Sequence, residues 1–149
     1  MHARAAPDGL TTDHRRLGVD LFNEVWRLIE TRDDDERMLH AAHASRFHWG
    51  EAPECKPENL ARGEWQVSRV YTVLGLAEPA LRHAQRCLGI CESNGIDDWD
   101  LAYAFEAVAR AYKTADMQAE AAAYAKLARE VPIAEEDDRE QLARDLATL

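Results

Sequence analysis

The chain is poor in the residues that build sheets. Valine, isoleucine and threonine together number 17 among 149 residues, against 26 alanines and 15 leucines, a balance that favours helix and argues against an all-β or wound α/β fold. Cysteine is scarce: Cys55, Cys87 and Cys91 are an odd number with no C-x-x-C pair, the usage expected of reduced thiols in a cytoplasm. With 7 glycines and 5 prolines, there is no phosphate-cradling glycine loop and no dinucleotide fingerprint, and G-x-S-x-G and H-E-x-x-H are absent too. The longest largely apolar run, Val70 to Ala77, falls far short of the roughly 20 residues a membrane span needs. Nor does Met1 to Asp13 carry the apolar core of a signal peptide, so the expected location is cytoplasmic. Basic residues are the minority, 18 against 28 acidic ones for a net charge of −10. That field repels phosphate backbones and anionic lipid, so neither nucleic acid nor membrane is an expected partner.

What the chain does have is helical periodicity. Residues 1–12, with Pro7 and Gly9, show none and read as a flexible arm. From Asp13, the spacing of Leu17, Leu21, Val25 and Leu28 predicts a first helix, and Asp33 with Glu36 forms a capping-box pattern before a second that runs to Trp49. Pro57 opens a third helix that stops at Gly75, and Pro79 opens a fourth that ends at Asn94 and Gly95. Asp97 with Asp100 starts a fifth. A break at Ala115 and Asp116 leads to a sixth, which Pro132 ends, and the acidic run Glu135 to Asp138 suits the positive end of a seventh. The expected fold is all-α: about seven antiparallel helices, in hairpins at about 13–50, 57–95 and 97–132, with a cap over 134–149, all in one domain over 13–149. A chain of this length buries about 68–70% of its unfolded surface, enough for a core without metal or disulfides.

The second and third hairpins can be laid over each other with a shift of forty residues. Trp65 then falls on Phe105, Gly75 on Ala115, Leu81 on Ala121, Ala84 on Tyr124 and Cys87 on Leu127. With Gly75, Ala80, Ala84 and Cys87 in one unit and Ala115, Tyr124, Ala128 and Pro132 in the next, Glu64 to Gly95 and Leu101 to Pro132 resemble tetratricopeptide repeats. Glu120 stands where the second unit should carry its early alanine, and the period exceeds the usual 34 by about a turn and a loop. The resemblance implies an α-α superhelix in which the first helix of each hairpin lines a concave groove. Carried over by position, Arg62, Trp65, Arg69 and Thr72, with Phe105, Tyr112 and Lys113, would face it. This basic and aromatic set suits an acidic protein or peptide carrying an apolar anchor. The implied role is non-enzymatic binding with no cofactor, and the open ends of such an array also suit pairing into a homodimer.

The most unusual local sequence runs from Leu39 to Trp49. His40 and His43 are three apart on one helix face, a spacing that could place two imidazoles on one metal, with Glu64 or Glu51 as a third ligand from elsewhere. The alternative to a binding module is therefore a metal-dependent hydrolase or small-ligand site at His40, His43 and Glu64. His83, Cys87 and Cys91 also share a face and form a soft-metal half-site on the same reasoning. Against both stands the plain packing role that histidines and small thiols commonly take in helix interfaces.

Overall fold

The computed structural model describes residues 11–149. It contains seven helices: α1 (His14–Thr31), α2 (Asp35–Glu51), α3 (Pro57–Val73), α4 (Ala77–Ser93), α5 (Asp98–Thr114), α6 (Gln118–Glu130) and α7 (Glu136–Leu146). No strand occurs among the described residues. The expected arm falls, Thr11 and Thr12 apart, outside them. The helix starts follow local chemistry. Asp13 accepts the Arg16 amide at 3.0 Å, and Pro57 is the first residue of α3, where its missing amide proton costs nothing. Two starts move from their expected places. The cap of α2 is Asp34, accepting from the Arg37 amide at 2.9 Å, in place of Asp33. α4 begins two residues before Pro79, because a proline anywhere in the first turn has no intrahelical bond to lose.

Consecutive helices pack as antiparallel hairpins, and the hairpins stack. α1, α3, α5 and α7 approach one another in succession; α2, α4 and α6 pack on the odd-numbered helices beside them, and their backbones stay apart from each other. The array therefore bends with the odd helices inside and the even ones spread along the outer side. α1 touches only α2 and α3, so the array is an open helical superhelix and not a closed bundle. Apolar clusters cross the hairpin boundaries. Val25, Leu28, Met38, Ala41 and Ala42 pack with Val67 and Val70 of α3, and Ala61 of α3 packs with Cys87, Cys91 and Ala104. Each fully buried valine or leucine contributes about 1.5–3 kcal/mol, and removing one hairpin would uncover the next.

The structure corrects the repeat register by one residue. The turns between α3 and α4 and between α5 and α6 each hold one left-handed residue, Gly75 (φ 75°) and Asp116 (φ 58°), which lie 41 residues apart. At that shift Val67 falls on Val108, Ala80 on Ala121, Ala84 on Ala125 and Cys87 on Ala128, and all eight are buried. The shift of forty instead pairs buried Cys87 with Leu127, which is 40% exposed. Ala121 thus stands where Ala80 does, and Glu120 is simply its exposed neighbour. In an alanine-rich stretch the two registers look alike by composition. They differ by about 100° of helix rotation, which only burial distinguishes.

Candidate functional site

The inner face contains the arginines expected in a groove, but they are engaged within the protein. Arg62 donates from Nε and Nη2 to both carboxylate oxygens of Asp100, at 2.8 and 2.9 Å, with its guanidinium 5.6 Å above the Trp99 ring. Arg69 lies 3.6 Å from buried Glu106, which also accepts from Arg110 Nε at 2.7 Å. Burial, and then the charge of Arg110, hold the Arg69 pKa below its ordinary value. Lys113 donates to the Thr148 carbonyl at 2.7 Å. Trp65 is half-buried between Trp26 (5.4 Å) and Tyr103 (5.7 Å), in a row of rings that joins α1, α3 and α5. Around Trp65, Arg69, Thr72, Glu106 and Arg110 the helices close up and leave no space for a water molecule.

Phe105 and Tyr112 do not join this face. Both turn towards Tyr124 of α6, with ring centroids 6.4 and 5.6 Å from it. The corrected register explains why: Phe105 occupies the place of Glu64, and Tyr112 that of Tyr71, on the side of each odd helix that faces its even partner.

Of the residues singled out near the histidines, His43 and Glu64 do come together, in the seam between α2 and α4 above α3. Glu64 is 2% exposed. One of its oxygens accepts from Arg46 Nε at 2.8 Å; the other accepts from His83 Nδ1 at 2.8 Å and lies 3.2 Å from Arg86 Nε. Burial pushes the Glu64 carboxyl up, but the His83 bond and the charges of Arg86, His83 and Arg46 outweigh it, and its pKa stays below the ordinary value. His83 stacks on Tyr71 at 5.6 Å, and Tyr71 hydrogen-bonds through its hydroxyl to His43 Nε2 at 2.9 Å. His43 is held below its ordinary pKa chiefly by burial, then by the nearby charges of His83, His40 and Arg82, against a smaller opposing pull from Glu64. His40 is exposed, one turn earlier on α2.

This seam does not have the form of a metal centre. The Glu64 oxygens face two guanidinium groups and an imidazole, and among the described residues no group of three or more histidines, cysteines or carboxylates is placed to hold an ion. His83, one member of the soft-metal half-site, has its Nδ1 committed to Glu64, while Cys87 and Cys91 are buried.

The next seam of the same array, between α4 and α6 above α5, is built differently. Shifting by 41 residues replaces Glu64 by Phe105, Tyr71 by Tyr112, His83 by Tyr124 and Arg86 by Leu127. The helix starts Asp34 and Leu76 are 42 apart, so Leu88 replaces Arg46. Even the ring stack recurs, Tyr112 on Tyr124 at 5.6 Å. The fold therefore closes one seam with apolar side chains and the other with a charged network. Sequence reasoning missed Arg46 and Tyr71, set His83 with Cys87 and Cys91 in place of Glu64, and did not connect Arg86 with Glu64. The signal that would have found them is this mismatch, visible only once the repeats are aligned in the correct register. Comparison with protein-family models, with curated proteins and with solved structures found no match to the chain.

Proposed function

We propose that the chain is a non-enzymatic interaction module of tetratricopeptide-like hairpins that takes an acidic protein or peptide partner. The observation that carries this reading is the charged α2/α4 seam, in a position where the same fold manages with Phe105, Leu88, Tyr124 and Leu127. A buried ion network adds little stability over well-packed apolar residues, so its presence in one seam alone favours a role other than holding the hairpins together. The tetratricopeptide resemblance gains support from the corrected register, which puts Ala80 and Ala121 at one buried position and Gly75 and Asp116 at one turn. A cytoplasmic setting agrees with three unpaired thiols, Cys55, Cys87 and Cys91. No helix among the described residues is long and apolar enough to cross a membrane.

A metal-dependent hydrolytic or small-ligand site at His40, His43 and Glu64 has less support, because the one carboxylate is enclosed by Arg46, His83 and Arg86. The discriminating experiment is a peptide array probed with the full chain, with acidic, neutral and basic sequences side by side. Saturable binding confined to acidic peptides and weakening with salt is the expected result. No saturable binding, together with a thermal shift on adding zinc, nickel or manganese, would replace this reading with the metal-site one.

A further inference from the structure

The outer edge of the α2/α4 seam carries more positive charge than Glu64 balances. Arg46 and Arg86 reach Glu64 through Nε, and their terminal nitrogens make no hydrogen bond among the described residues. Arg82 is exposed, makes no ion pair among the described residues, and precedes Arg86 by one helical turn on the same face of α4. One buried carboxylate thus faces the two arginines that pair with it and a third nearby, in a molecule whose overall charge is −10. The α2 and α4 backbones stand apart over α3, and their side chains meet across it, with the His43 and His83 ring centroids 5.5 Å apart and Glu64 beneath. Along α2, Phe47 follows His43 by one helical turn on the same face and is 58% exposed, the most exposed of the large apolar side chains among the described residues.

We propose that this outer strip, comprising Arg46, Arg82, Arg86, His43 and Phe47, is the docking point for an acidic peptide segment. Its carboxylates meet the outward guanidinium edges, and an apolar side chain beside them covers Phe47. The inference rests on the reading of the chain as a partner-binding module and names the surface used: the outer, even-helix side, and not the inner face. Charge complementarity selects the occupant. Guanidinium groups bind carboxylates through paired N–H donors; Arg62 has already used such a pair on Asp100, and Arg69 is largely buried beside Glu106. Glu64 has a positioning role, holding Arg46 and Arg86 side by side from beneath.

The test uses fluorescence anisotropy with an end-labelled peptide of glutamates around a single leucine, and the same peptide with lysines in place of the glutamates. Arg82→Glu and Phe47→Ala alter exposed side chains with no hydrogen-bond partner among the described residues, so the fold is kept, which circular dichroism checks. Arg82→Glu should weaken the acidic peptide by roughly 3- to 10-fold, the scale of reversing one exposed charge contact. Phe47→Ala should weaken it by a similar factor and leave the salt dependence unaltered. Lys126→Glu, on exposed α6, should change nothing. Equal binding by all variants, or the same weakening from Lys126→Glu, overturns the strip. Binding lost in Arg62→Glu and kept in Arg82→Glu moves the site to the inner face, which overturns the strip while the acidic-partner reading stands. Absence of binding by the wild-type chain removes both. A dimer in sedimentation that Arg82→Glu dissociates would assign the strip to an acidic run of a second copy and overturn the peptide assignment.

Discussion

Arg46 of α2 lies directly across Gly63 of α3. A Cβ at position 63 would stand 2.8 Å from Arg46 Cδ and 3.5 Å from its Cβ. The bare glycine brings the arginine low enough to meet Glu64 one residue later, so the geometry of the charged seam depends on a residue that carries no charge.

Substitution at the helical glycines should therefore split by sign. Gly63→Ala gains helix propensity of about 1 kcal/mol but displaces Arg46 from Glu64, at a crowding cost of about 1–3 kcal/mol, and is expected to be destabilising overall. Gly89→Ala in α4 meets nothing within 4 Å and should be stabilising by about 0.5–1 kcal/mol. Urea midpoints for the two variants check this, and a stabilised Gly63→Ala would show that Arg46 is not held from below.

The two seams can be exchanged. Replacing Arg46, Glu64, His83 and Arg86 together by Leu, Phe, Tyr and Leu copies the α4/α6 solution into the α2/α4 position. Since swapping a buried ion network for packed apolar groups is often neutral or stabilising by about 1–4 kcal/mol, this fourfold variant should remain helical and at least as stable while losing the acidic peptide. Glu64→Gln alone should behave oppositely, destabilising by about 1–3 kcal/mol, because it removes the buried acceptor shared by His83 and the part-exposed Arg46 and Arg86. Thermal melts of the two variants, with peptide titration, decide between a structural and a recognition role for the network.

Acid should weaken the fold in two steps. His43 has a folded pKa below its ordinary 6.5, so the unfolded chain takes up a proton first. The stability tied to a neutral His43 is intact above pH 6.5 and is lost as pH falls through the folded value. Glu64, held below 4.5, contributes stability that disappears only at still lower pH. Urea midpoints between pH 8 and pH 5 should fall for the wild type and fall less for His43→Gln; identical slopes would remove His43 from the account.

Asp116 holds the left-handed turn position that Gly75 holds in the preceding hairpin. Asp116→Gly should relieve the backbone cost of a side chain there, about 0.5–1 kcal/mol, less the entropy a glycine adds to the unfolded chain. A melting temperature raised by Asp116→Gly and lowered by Gly75→Ala would confirm that the two turns are equivalent.

The sequence by itself determined the seven helices, their hairpin order and the turns that end them. Each of these depends on contacts between residues a few positions apart: Asp13 with the Arg16 amide, Pro57 in a first turn, Gly75 free to take a positive φ. Tertiary structure decided the register between hairpins, since an alanine-rich helix reads the same when rotated by one residue until burial marks its inner side. It also decided the site. Arg46, Glu64 and His83 come from three helices, and nothing in their spacing along the chain joins them. They become a network only when α2 and α4 stand apart over α3, and burial of Glu64 then requires cations around it.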